Sequence, residues 1–264
     1  VRRKTISRPD LKPHGFFATH PYFRFDEFAD AYREAGHSHA AVTAVLAYHV
    51  STGTLINLRR GLYRVAHAPF EPWLIPSKLN RHAVVAYDGA ASFHGLTPVG
   101  HSLTFLSPRS LGFTLNEVVY RGVAWPDLAD PAARVSSGFA ELPKNGHPIA
   151  VTSLERTLAD CLERTDLAPD FHHLFGGFLD KPDLPLDLDQ LVHYTVHECS
   201  PICAARVGLL LCAHPHHRYA REHLATLAKR VPARTSYATP DREPGGKYFA
   251  RWRLVVPRSL ADHL

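Results

Sequence analysis

The sequence predicts an α+β protein: an N-terminal winged helix-turn-helix followed by a mixed α/β domain with a helical second half. Three observations carry this. The hydrophobic period changes from helical to strand-like within residues 37–65, positive charge is concentrated in the first 65 residues, and later short β-like runs give way to amphipathic helical stripes.

Residues 37–65 organise the reading. Val42, Val45, Leu46 and Val50 fall at helical spacing, Ser38 stands ahead as an N-cap, and Gly53 stops the helix. Two strand-like runs follow, Leu55-Ile56-Asn57-Leu58 and Leu62-Tyr63-Arg64-Val65, joined by Arg59-Arg60-Gly61 as a hairpin turn. Upstream, Phe25, Phe28, Ala29 and Tyr32 lie on one helical face, and Gly36 ends that helix. Helix, short glycine-containing turn, helix and basic-tipped hairpin is the layout of a recognition helix with its wing. An earlier helix is expected between residues 8 and 20, although Pro13 and Gly15 weaken its pattern. The expected partner is double-stranded DNA. Ser38, His39, Thr43, Ala44 and Ala47 are the candidates at the groove, and Arg59, Arg60 and Arg64 the candidates at flanking phosphates. Residues 38–52 contain no Arg or Lys, so bidentate readout of guanine is closed to this helix. Binding then leans on phosphate contacts and should be salt-sensitive.

At 264 residues the chain has room for two domains, expected at residues 1–68 and 69–264 with the boundary near Pro69. Its net charge is +5, and residues 1–65 alone hold ten Lys or Arg against five acids. A basic N-terminal module on a neutral body fits nucleic-acid binding, although Arg2, Arg3 and Lys4 also read as a solubilising tail. No apolar run approaches the ~20 residues of a membrane helix. No apolar core follows the basic start, so the expected location is cytoplasmic.

The stretch 69–76 is proline-punctuated and reads as a linker. Residues 83–86 look extended, 88–93 look like a small-residue helix ended by Gly95, and 102–106, 117–120, 138–142 and 149–151 look like strands of a small mixed sheet spanning 83–151. The part from 152 to 231 reads as helical. Leu154, Leu158, Cys161 and Leu162 make one apolar stripe, with Thr152 and Glu155 as a capping box. Further helices are expected over 171–179, 188–197, from Pro201 and over 221–231, before a strand region at 232–264.

Four segments, in order, resemble the AbiEi family of type IV toxin-antitoxin antitoxins. They are Arg60-Gly61-Leu62-Tyr63; Ala90-Ala91-Ser92-Phe93-His94-Gly95-Leu96; Val151-Thr152-Ser153-Leu154-Glu155-Arg156-Thr157-Leu158-Ala159-Asp160; and Gly245-Gly246-Lys247-Tyr248-Phe249-Ala250-Arg251-Trp252-Arg253-Leu254. The resemblance implies an abortive-infection antitoxin. Its winged helix would repress its own operon, and its C-terminal domain would counter a nucleotidyltransferase-like toxin. On that reading Arg251 and Arg253, alternating with Trp252 and Leu254 along a strand, are the toxin-neutralising candidates. The structural alternative is a charge-protected edge strand.

The residues give no catalytic set, metal ligands or cofactor site. His193, His197, Cys199, Cys203, Cys212, His214, His216 and His217 crowd one region, but their spacing matches no standard zinc pattern. Glu155, Asp160 and Glu163 read as solvated helix faces. Asp88, Ser92 and His94 lack a nucleophile elbow, with Asp88 read as an N-cap. Gly245-Gly246-Lys247 precedes a strand rather than a helix, so it reads as a turn. A defence-associated nuclease sharing the N-terminal module is the alternative function. It would require a paired-carboxylate-plus-Lys site that the C-terminal half does not offer.

Overall fold

A computed structural model describes residues 12–124, 138–239 and 245–262. The basic residues Arg2, Arg3 and Lys4 lie outside them. The protein is α+β and divides into two compact units, Val1–Arg81 and His82–Leu264.

In the first unit α1 (Pro13–Thr19) precedes β1 (Tyr22–Arg24), α2 (Phe25–Glu34), α3 (His39–Ser51), β2 (Leu55–Arg59), β3 (Leu62–Val65) and α4 (Leu74–Leu79). Pro13 occupies the first turn of α1, where its missing N–H costs nothing. At the start of α2 the Glu27 carboxylate accepts from the Arg24 N–H at 2.6 Å. Ser38 caps α3 by accepting from the Ala41 N–H, and Gly53 follows the helix at φ +74°. The strands form one antiparallel sheet in the order β1-β3-β2. Phe16, Phe17, Phe23, Phe28, Val42 and Leu46 fill the space between sheet and helices. Phe17 stacks on Phe23 at 5.6 Å, and Phe16 meets Phe28 edge-on at 5.1 Å.

Two features depart from the sequence expectation. The run before α2 supplies a third strand, which pairs Tyr22 with Arg64 and Arg24 with Leu62. The proline-punctuated linker is not one: residues 69–81 belong to the first unit and include α4. Tyr22 Oη donates to the Pro69 carbonyl at 2.6 Å and accepts from the Glu71 N–H at 2.8 Å, while Lys78 pairs with Glu27 at 3.0 Å. The boundary therefore lies at 81/82 rather than near Pro69.

The second unit opens with β4 (Val84–Val85), α5 (Tyr87–Phe93), β5 (Ser102–Ser107), β6 (Leu111–Leu115), β7 (Val118–Ala124), β8 (Phe139–Lys144) and β9 (His147–Thr152). These strands make a six-stranded mixed sheet ordered β6-β7-β5-β4-β9-β8. Strands β5 and β7 run parallel, as do β4 and β9; the other neighbours are antiparallel. Strand β6 is the one the sequence reading passed over. Only alternate residues of it are even partly buried, and Gly112 leaves a gap in its pattern.

Helices α6 (Leu154–Glu163), α7 (Phe171–Leu179), α8 (Leu188–Glu198), α9 (Pro201–Ala213) and α10 (Arg221–Ala228) follow. A small sheet then forms from β10 (Ser236–Tyr237), β11 (Lys247–Phe249) and β12 (Leu254–Val256), with α11 (Arg258–Ala261) last. The predicted stripe of α6 is buried in the main core together with the wholly buried α9 residues Val207, Leu210 and Leu211. Its cap is Ser153, which accepts from the Arg156 N–H; Thr152 Oγ1 instead bonds Thr157 Oγ1 at 2.7 Å. Glu155, expected to complete a capping box, accepts from the Asp187 N–H at 3.0 Å. Among the described residues no helix is long and apolar enough to cross a membrane.

Candidate nucleic-acid interface

Helix α3 buries Val42 and Leu46 and turns a continuous outer face to solvent: Ala40, Thr43, Ala44, Ala47, Tyr48 and Ser51. Spacings of three and four residues place these groups on one side of the helix. Ser38, His39, Thr43 and Ala44 are all exposed, so each sequence-predicted groove residue of α3 is accessible. Sequence reasoning missed Tyr48, which is 63% exposed. Val42 and Leu46 fill the inner face of the helix, and the spacing of apolar residues does not mark an aromatic ring as a surface group.

The β2–β3 hairpin carries the second half of the candidate interface. Register shifts between Asn57 and Arg59, so the strands twist before a tip that holds exposed Arg59 and Arg60. Gly61 supplies the left-handed backbone at φ +75°, and its carbonyl accepts from the Phe25 N–H at 2.8 Å, which ties the tip to the start of α2. Arg64 differs from the other two. It is half-buried on β3, its guanidinium lies 5.9 Å from the Phe70 ring centre, and its Nε is enclosed. It is therefore a packed arginine, not a tip residue. Arg24, Arg60 and Lys78 line one cleft of about 320 Å³ beside the tip, with Asp26 at 2.9 Å from Arg24 offsetting part of the charge.

On the inner side of α3, His49 is buried against Phe17 and His14, with ring centres at 5.0 and 5.2 Å. Burial, and secondarily His14, pushes its pKa below the usual imidazole value. The neutral ring is part of the core and takes no share in the positive surface.

The remaining sequence candidates lie in the second unit. Asp88 is not an N-cap: its carboxylate accepts from the Gly89 N–H, the Ser102 hydroxyl and the Thr104 N–H, which lashes α5 to β5. Ser92 Oγ donates to the Gly89 carbonyl and His94 Nε2 pairs with the Thr152 carbonyl at 2.7 Å, so the three side chains are employed in packing. Glu155 and Asp160 are buried, contrary to the solvated-face reading. Asp160 accepts from Arg156 at 3.0 Å and from Tyr194 Oη at 2.9 Å, yet burial still raises its pKa. The ligating atoms of Glu163, Cys199 and Cys203 lie within 4.8 Å of one another. Glu163 is already spent on the Ser200 N–H and hydroxyl, and the Cys203 thiol donates to the Ala159 carbonyl at 3.3 Å. Buried Arg206, bonded to the Leu162 carbonyl at 2.6 Å, adds a competing positive charge beside them.

The alternating-strand picture of the tail does not hold. Residues 250–253 form the tight turn between β11 and β12. Arg253 has φ +51° and donates to the carbonyls of Pro232 and Ala233 at 3.2 and 2.9 Å, whereas the Arg251 guanidinium lies 5.0 Å from the Trp252 ring centre. The two arginines are exposed but do not make a paired strand edge.

No protein-family model matches the chain, and no curated protein matches it. Among solved structures it is similar to the crystal structure of the RV2827C protein from Mycobacterium tuberculosis. That match has 13% sequence identity and a TM-score of 0.64, and it covers 92% of this chain and 89% of the other. At this identity the likeness is one of fold alone.

Proposed function

We propose that the chain is a double-stranded-DNA-binding regulator acting through its Val1–Arg81 unit as a winged helix, and that it is the antitoxin of a type IV toxin-antitoxin pair. The observation that carries the DNA reading is the pairing of an exposed α3 face with a hairpin that presents Arg59 and Arg60. A helix of this width enters the major groove, and a basic hairpin beside it reaches the phosphates. The α3 face holds no cation, so electrostatic attraction comes from the wing and from the Arg24, Arg60 and Lys78 cleft.

The antitoxin part rests on the four sequence segments. In this fold they occupy packing positions: the wing turn at Gly61, the α5 end at Gly95, the capped start of α6 and the turn around Trp252. Such positions keep a fold constant while surfaces vary. The partner on this reading is a nucleotidyltransferase-like toxin. The tail arginines are a weaker toxin contact than the sequence implied, because Arg253 is engaged by backbone carbonyls.

Fluorescence anisotropy of a labelled duplex, titrated with the full chain over a salt series, tests the DNA reading. The duplex should carry the region upstream of the protein's own coding sequence. Replacing Arg59 and Arg60 by Ala should weaken binding to all duplexes alike and reduce the log–log salt slope by about two. An unchanged slope would remove the wing from the interface. Plasmid cleavage dependent on a divalent metal would instead favour the nuclease alternative.

A further inference from the structure

Within the second unit, ligand-type side chains from two helices surround one groove. His193 and His197, four residues apart on α8, project side by side with ring centres 4.5 Å apart, and both are exposed. Asp189, one turn earlier, belongs to the same face. Helix α10 packs alongside and turns His223 toward them. Its Nε2 lies 2.8 Å from Asp189 Oδ1, while Asp189 itself is almost fully solvated. These four residues, with Glu222 at the rim, line a cleft of about 320 Å³.

We propose that this groove is a site for a late first-row divalent metal ion of the zinc class, ligated by His193 and His197 from α8 and by His223 from α10. Imidazole nitrogens select zinc, nickel, copper or cobalt over magnesium and calcium, which prefer all-oxygen shells. A pair of histidines one turn apart chelates from a single helix face. His223, oriented at one nitrogen by Asp189, keeps Nδ1 for the metal, the arrangement in which a carboxylate aligns a ligating imidazole. The rings close on the ion by χ1 and χ2 rotation, which exposed side chains undergo without backbone movement. A fourth position stays with water or Glu222. The nearby Arg230 guanidinium is directed to the Val196 carbonyl at 3.3 Å instead of into the cleft. Occupancy would clasp α10 to α8 and stabilise the folded chain by mass action.

The test is calorimetric titration of the full chain with zinc ion alone, together with the visible absorption of the cobalt(II)-loaded protein. One equivalent should bind. Loss of an outer-sphere partner alone weakens metal sites about 10–100-fold, so Asp189→Asn should fall within that range. Removing two ligands in the His193→Ala/His197→Ala double variant should abolish binding. These exposed substitutions should leave the metal-free melting temperature unchanged. His172→Ala/His173→Ala, a half-buried and an exposed histidine on α7, should bind as the unmodified protein does. Cobalt should give ligand-field bands without a thiolate charge-transfer band. The proposal is overturned if the unmodified chain takes up no zinc at millimolar concentration, or if the 193/197 double variant retains full affinity. It is equally overturned if the 172/173 control loses as much, or if Cys199→Ser/Cys203→Ser abolishes binding.

Discussion

Trp252 shows how single positions hold this fold. Its indole is buried and pressed against α9 so closely that a methyl group on Gly208 would overlap the ring. The turn that delivers it is fixed by Arg253, whose left-handed backbone is secured by two carbonyls from residues 232–233. Trp252→Ala should cost about 3–5 kcal/mol through the cavity it leaves. Gly208→Ala should cost about 3 kcal/mol through overpacking. Made together, the two should cost less than their sum, because the new methyl enters the space the indole vacates. Urea unfolding of the three variants measures this; strict additivity would show that the ring and Gly208 do not share a site.

At the level of elements, the first unit depends on the segment after its hairpin. Tyr22 is buried on β1, and its hydroxyl bonds backbone groups of both Pro69 and Glu71. Cutting the chain after residue 68 removes both, along with the Lys78–Glu27 pair. Each hydrogen bond lost contributes about 0.5–1.5 kcal/mol. A fragment of residues 1–81 should therefore melt at a higher temperature than one of residues 1–68, as circular dichroism would record. Equal melting temperatures would return the boundary to Pro69.

For the molecule as a whole, the histidines set how stability responds to acid. His214 is fully buried and stacks on His217 at 4.2 Å, with Phe178 at 4.7 Å from His214. Burial lowers the pKa of both, and that of His217 falls to about 4, with His214 and His216 adding to the shift. Burial likewise lowers His49 in the other unit. Unfolded, each imidazole titrates near its ordinary value of about 6.5. Between that value and the depressed one, the unfolded chain binds more protons than the folded chain, so stability rises with pH. The contribution is present above about 6.5 and is lost as pH falls toward about 4. Asp160, whose pKa is raised, works in the opposite sense at the acidic end, against four imidazoles, His94 among them, whose pKa burial lowers. The melting temperature should fall between pH 7 and pH 4.5, and His217→Gln should flatten that fall. A flat profile in the unmodified protein would contradict the assignment of neutral buried histidines.

What the sequence determined by itself was local. The switch of hydrophobic period at Gly53 marked α3 and its hairpin, because helix and strand periods differ within a few residues and glycine alone takes φ +74° without strain. Ser38, the burial of Val42 and Leu46, the exposure of Arg59 and Arg60, and the stripe of α6 were legible for the same reason. Tertiary structure decided whatever depends on partners distant along the chain. Tyr22–Arg24 became a strand only by pairing with β3, and residues 69–81 joined the first unit through Tyr22 and Glu27. Glu155 and Asp160 went inside because Asp187, Arg156 and Tyr194 were there to receive them. The groove that gathers His193 and His197 with His223 exists only because α10 packs on α8. Hydrogen bonding and burial are satisfied by proximity in space, which spacing along the chain does not encode.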